Sequence, residues 1–173
     1  MKIETDPKRI SELARRMEDV NWAFRCFLKA SDLTIEHIDS IVHKVYKTVS
    51  AQIDCRQCAN CCKIGRPLLT RKDIERLAAR LAISKEHFVT DYLVSDEKGE
   101  GHFFRSMPCP FLRNNLCMLY SCRPNDCRSY PHLQKKEFVF RLNQAFSNCS
   151  VCPIVFNVYE RLKQEIKFNR VRW

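Results

Sequence analysis

Four of the chain's 11 cysteines fall within eight residues, in "CRQCANCC" at 55–62. Cys55, Cys58 and Cys61 follow a C-x-x-C-x-x-C spacing. Two thiolates separated by two residues can grip one metal, because a tight turn brings both sulfurs to one side with backbone amides pointing at them. Three in series can hold three corners of a cubane iron–sulfur cluster, whose fourth ligand in bacterial ferredoxins comes from a remote cysteine followed by proline. Cys109-Pro110 and Cys152-Pro153 are such dipeptides, although Cys-Pro also occurs in zinc sites. Cys62 complicates a one-site picture. Adjacent residues project their side chains apart, so Cys61 and Cys62 do not easily serve the same metal. The natural solution is two sites sharing this loop, completed by cysteines in "CPFLRNNLCMLYSCRPNDCRSYP" (109–131) and near the C-terminal helix. Metal would then staple the segments 55–62, 109–127 and 149–152, with binding energy that is also folding energy.

The rest of the composition decides between metal and disulfide. "MKIETDPKRI" carries acids and no apolar run follows it, so it does not read as a signal peptide. No stretch approaches the ~18–20 apolar residues of a membrane span. The expected compartment is the cytoplasm, where thiols stay reduced. An odd cysteine count cannot be fully paired, and a disulfide-knotted scaffold would need far more than 3 glycines in 173 residues. The formal charge is +10. Each four-thiolate site, with a divalent metal or an oxidised 4Fe–4S cluster, carries about −2, so two of them bring the total nearer about +6. Part of the basicity therefore balances the chain's own sites.

The elements that must position these thiols are mostly helical. Residues 8 to about 30 carry one apolar stripe (Ile10, Leu13, Met17, Val20, Phe24, Phe27), and a second runs Ile35, Ile38, Val42, Val45, Val49. With Ser31 or Thr34 as cap, they predict a helical hairpin packed on itself or on the metal-bearing part. Thr70 and Asp73 stand in the relation of a capping box ahead of Ile74, Leu77, Ala78 and Leu81, and Ser84 starts a short helix. "SDEKGEG" reads as a loop, and "HFFRSM" and "NLCMLY" as strands of a hairpin around "PCPFLRN". "KKEFVFRL" reads as a further strand. A closing helix starts at about Pro153 and runs through Phe168, with the basic tail "KFNRVRW" at its end. The expected fold is mainly α with a small irregular, partly β, cysteine-rich centre. Its expected parts are a helical hairpin at 1–54 and a metal-binding domain at 55–173.

"CRQCANCC", then "LLTRKDIERL", then the 109–131 block and a late "CP" before a helix, resembles the YkgJ family, C-x-x-C-x-x-C-C proteins described as zinc- or iron-chelating domains. The resemblance covers residues 55 to about 162. Carried over position by position, it implies Cys55, Cys58, Cys61, Cys62, Cys109, Cys117, Cys127 and Cys152 as metal ligands. It also implies Arg123, Arg128 and Tyr130, with Pro124 and Pro131, as the surround of the bound group. Ile154 stands where the family pattern has glycine, so Cys149 is the alternative to Cys152. Cys122 falls where the family varies and Cys26 lies outside the match, so both read as free thiols. The implied cofactor is zinc or iron, including a 4Fe–4S cluster.

Arg123 and Arg128 flank Cys127, where they can offset thiolate charge or pair with Asp126. His132 is the one histidine near the cysteine block. The reading that follows is a metal-binding protein with a structural, adaptor or metal-handling role. One alternative is an iron–sulfur electron carrier or accessory subunit of a modifying enzyme. The family resembles flagellin lysine N-methylases more distantly, but this chain has no G-x-G-x-x-G loop and no C-x-x-x-C-x-x-C spacing. A zinc-stabilised nucleic-acid module is the second alternative. Pairs such as Arg15-Arg16 and Lys135-Lys136 are scattered, however, as on ordinary solvated faces. The hairpin at residues 8–54 lies outside the resemblance and is the expected surface for a protein partner.

Overall fold

The computed structural model describes residues 2–95 and 101–168. Most of the "SDEKGEG" loop and the end of the "KFNRVRW" tail lie outside the described residues. In chain order the described residues form α1 (Pro7–Arg16), α2 (Glu18–Ala30), α3 (Ile35–Ser50), α4 (Cys55–Cys58), α5 (Asn60–Ile64) and β1 (Leu68–Leu69). Then come α6 (Arg71–Leu81), α7 (Lys85–Tyr92), β2 (Leu93–Ser95), β3 (His102–Phe104), β4 (Leu112–Arg113) and β5 (Leu116–Cys117). The chain ends with α8 (Asn125–Ser129), α9 (Leu142–Asn148) and α10 (Pro153–Glu165). The fold is mainly α with small antiparallel sheets. None of the described helices is long and apolar enough to cross a membrane. Two compact units form: Met1–Asp54 with Pro131–Trp173, and Cys55–Tyr130.

In the first unit the apolar stripe at 8–30 bends at Met17 (φ −102°, ψ 13°), giving two helices where the pattern predicts one. The Asn21 N–H still reaches the Met17 carbonyl at 2.8 Å, and Glu18 and Asp19 complement the start of α2. Thr34 caps α3 by accepting from the His37 N–H. From Ile38 to Val49 the stripe of α3 is buried as its spacing predicts, mainly against α10, while Ile35 is half-buried. Helix α10 is buried from Pro153 to Tyr159, and Tyr159 meets Phe24 edge-to-face at 5.2 Å. Each such side chain stabilises by ~1.5–3 kcal/mol relative to exposure.

"KKEFVFRL" is not a strand. Glu137 turns the chain at φ 62°, and residues 138–141 form a 3-10 turn leading into α9. The cause is distant in sequence: the Asp39 carboxylate on α3 accepts from the backbone N–H groups of Glu137 (2.6 Å) and Phe138 (2.8 Å). Two otherwise orphaned donors are satisfied there, and a local alternation of Phe138 and Phe140 cannot compete.

In the second unit, α6 begins with the predicted capping box, the Thr70 hydroxyl accepting from the Asp73 N–H and the Asp73 carboxylate from the Thr70 N–H. Ile74, Leu77 and Ala78 pack with Leu69, Phe88, Leu93, Phe104 and Phe111 into one apolar cluster. Strand β3 lies between β1 and β2, pairing Phe103 with Leu68 and Val94. The expected partner of "HFFRSM" was the "NLCMLY" segment, but β5 pairs with β4 instead. Asn114 and Asn115 both take positive φ (48° and 63°), the backbone of a two-residue hairpin turn, and so set Leu112 opposite Cys117.

Candidate metal centre

The "CRQCANCC" run folds as two short helices, α4 and α5, joined at Ala59, which takes the left-handed conformation (φ 47°). Gly65 ends α5 with its N–H on the Cys61 carbonyl at 2.8 Å. A Cβ at this position would stand 2.8 Å from that same oxygen, so the close approach requires glycine. Cys55 is exposed, while Cys58, Cys61 and Cys62 are half-buried. Helix α4 packs against β5, the strand that ends in Cys117. The Cys109 N–H donates to the Cys62 carbonyl at 2.9 Å, joining the opening run to the second cysteine block.

Four thiols from separate points of the chain sense one another in this unit. Burial pushes Cys109 up to about 11, and the charges of Cys62 and Cys117 push the same way. Cys127 is pushed up to about 12, first by burial, then by Cys62, Cys109, Asp126 and Cys117. Cys117 is raised by burial, with Cys62 adding and Arg123 opposing. Cys62 goes the other way, to about 7: a hydrogen bond from Cys61 outweighs burial, and Arg123 and Lys63 add their charge, so these adjacent thiols meet where their side chains are expected to project apart. A charge on Cys62 thus opposes the ionisation of Cys109, Cys117 and Cys127.

Arg123 stacks over the Tyr120 ring at 4.0 Å from its centroid, which fixes the positive charge felt by Cys62 and Cys117. Arg128 instead donates to the Ser121 carbonyl at 3.3 Å. Tyr130 closes α8 through its N–H on the Asp126 carbonyl, and the Asp126 carboxylate accepts from the Leu68 N–H at 3.1 Å. Cys122 is buried and donates to the Leu119 carbonyl. Cys149 and Cys152 belong to the first unit, where both are buried and Cys152 precedes the first turn of α10. His132 is buried in the first unit and Cys26 is exposed there.

Behind the cysteines stands a network that the sequence pattern marked only as a helix cap. Asp73, fully buried, accepts from the Thr70 N–H and hydroxyl, from the Asn125 N–H at 3.0 Å and from Arg76. Arg76 also donates to the carbonyls of Cys122 (3.1 Å) and Arg123 (3.0 Å). The 122–125 turn, which positions Arg123 and leads to Cys127, is thus hung on α6. The signal available in sequence was Arg76, three residues after Asp73 on the same helix face.

Among the described residues, no three His, Cys, Asp or Glu side chains stand in an arrangement that grips an ion as placed. The donor chemistry nevertheless fits a soft cation. Clustered thiols whose ionisations oppose one another are what a bound cation relieves, taking the thiolates as ligands and releasing their protons.

A model of the CxxCxxCC family, described as "Putative zinc- or iron-chelating domain", matches residues 54–152, more than half of the chain. The chain belongs to this family. No curated protein and no solved structure matches it. The match begins one residue before Cys55 and ends at Cys152, so each cysteine of the opening run and of the 109–127 block lies inside it, and Cys26 lies outside.

Proposed function

We propose that this CxxCxxCC protein holds zinc or iron through cysteine thiolates, in a structural, adaptor or metal-handling role within a reducing compartment. What supports this most is the family match over residues 54–152, together with the Cys109 N–H on the Cys62 carbonyl that joins the two cysteine blocks; we take Cys62, Cys109, Cys117 and Cys127 as the ligands of one site. Cys55, Cys58 and Cys61 open a second thiolate set. Four thiolates around a divalent ion leave no open position, so a closed site fastens the fold rather than doing chemistry on a substrate. Arg123, held on Tyr120, offsets the excess negative charge of the first site.

Anaerobic purification with elemental analysis and an absorption spectrum tests the reading. About two zinc per chain without visible absorbance supports fastening sites. About four or eight iron with matching sulfide and a brown band supports an iron–sulfur protein. Neither metal retained, and no uptake on reconstitution, overturns the proposal. Cys62→Ser and Cys127→Ser should each lower the metal content of the same site, whereas Cys26→Ser should leave it unchanged.

A further inference from the structure

Helix α2 turns one row of side chains away from the core of its unit. Asp19, Trp22, Cys26 and Lys29 are all exposed, whereas Asn21, Phe24 and Leu28 on the opposite side are buried. The row steps by three, four and three, the seam spacing of a helix that pairs with another. Ala23 and Ala30 flank it, and side chains that small let a second helix come close. Trp22 is 51% exposed yet held in place. Its ring meets Phe146 edge-to-face at 5.6 Å and carries the Arg25 guanidinium 4.4 Å from its centroid. Arg25 in turn donates to Asn143 on α9. An anchor fixed before contact loses little freedom on contact, which suits this aromatic to an interface.

The charges of the row identify what covers it. Asp19 and Lys29 enter no ion pair among the described residues. One end of the row is acidic and the other basic. An acidic partner would suit Lys29 and repel Asp19, and a basic partner the reverse. A second copy of α2 laid antiparallel satisfies both ends. A two-fold axis beside position 24 sends 19 onto 29 and 22 onto 26. Each Asp19 then meets Lys29 of the second copy, and each Trp22 ring packs beside the small Cys26 of the other. A parallel copy would set like charges against each other instead.

We propose that this face of α2 joins two copies of the chain, antiparallel about a two-fold axis near position 24. Covering Trp22 supplies the affinity, while the exposed ion pairs add little and set the register. One helix face from each copy is less than a standard interface buries, so the dimer is a weak one, half-formed at about 10–100 µM. It uses none of the thiols taken above as ligands, and it stands whether or not the metal reading does.

Sedimentation velocity of the full chain as purified, reduced and in about 0.15 M salt, tests this from about 2 to about 500 µM. The expected result is a mass that rises from one chain towards two across that range. Trp22→Ala should weaken association at least about tenfold. Asp19→Lys and Lys29→Asp should each do the same, because every reversal counts twice in a two-fold dimer. Mixing these two charge variants in equal amounts restores opposite charges at both ends. The mixture should associate within about threefold of the parent, which also rules out misfolding as the cause of the single losses. Lys72→Asp, exposed on α6, should change nothing. A parent that stays monomeric at about 500 µM overturns the proposal and leaves Trp22 to a partner of another kind. So does association that survives both charge reversals, or a mixture that stays monomeric. Equal weakening by Lys72→Asp overturns it too, since the attraction would then be diffuse.

Discussion

The Asn125 backbone N–H donates to Asp73 Oδ1 at 3.0 Å, across 52 positions of sequence. One buried carboxylate thereby caps its own helix and holds the turn that leads to Cys127. Asp73→Ala removes the acceptor of four hydrogen bonds and leaves the Arg76 guanidinium, only 32% exposed, without its partner. The expected cost is about 3 kcal/mol, as for other broken pairs with one member buried. Urea unfolding followed by circular dichroism checks it. A midpoint unchanged from the parent would mean that the turn is held by something else.

The same carboxylate sets an acid sensitivity. Burial opposes its ionisation, but the hydrogen bonds from Thr70, Asn125 and Arg76 outweigh burial and hold it below the ordinary value of 3.8. Its contribution to stability is therefore fully present above the unfolded-state value, because the unfolded chain binds the extra proton there first. It is lost as pH falls from about 4 through the folded-state value. Asp73→Asn, which cannot titrate, should lose less stability than the parent on going from about pH 5 to about pH 3. Parallel urea curves at the two pH values make the comparison. Equal losses would assign the acid response to other carboxylates.

In the metal-free unit Cys62 should react well before Cys109 and Cys127. With its value near 7, about half of it is thiolate at neutral pH, whereas Cys109 near 11 and Cys127 near 12 are almost wholly protonated. Lower intrinsic nucleophilicity takes back part of that advantage, leaving about a hundredfold preference. Alkylation by iodoacetamide at pH 7, read peptide by peptide by mass spectrometry, should mark Cys62 well before Cys109 or Cys127. Cys61→Ala removes the hydrogen bond that contributes most to the lowering and should slow labelling of Cys62. Uniform labelling of all three would sink the idea.

What the sequence made legible follows the range of each interaction. The stripe of α3, the Thr70–Asp73 box and the start of α10 at Pro153 are set by neighbours within a turn or two, so spacing alone predicts them. The opening cysteine run was legible for the same reason. "KKEFVFRL" was misread because its conformation depends on Asp39, nearly a hundred residues earlier. Arg76 went unmarked because its acceptors are backbone carbonyls at 122 and 123, which have no signature in sequence.

Metal removal should loosen only part of the second unit. The apolar cluster of Leu69, Ile74, Leu77, Phe88, Leu93 and Phe104, joined by Phe111, Leu119 and Cys122 from the 109–127 block, is built chiefly on α6, α7 and the three-stranded sheet, and needs no thiolate. Segment 55–64 buries only Ala59, and on the proposed reading metal fixes its placement, so that the energy of binding is its folding energy. In hydrogen exchange followed by mass spectrometry, chelator treatment under reducing conditions should therefore deprotect α4 and α5 most. Amides of α6 should change little, and those of α3 and α10 in the first unit not at all. Uniform deprotection across Cys55–Tyr130 would mean that the apolar cluster does not stand without metal. No change anywhere would mean that the thiol segments are held by contacts such as Cys109 N–H on the Cys62 carbonyl, and that metal adds nothing to the fold.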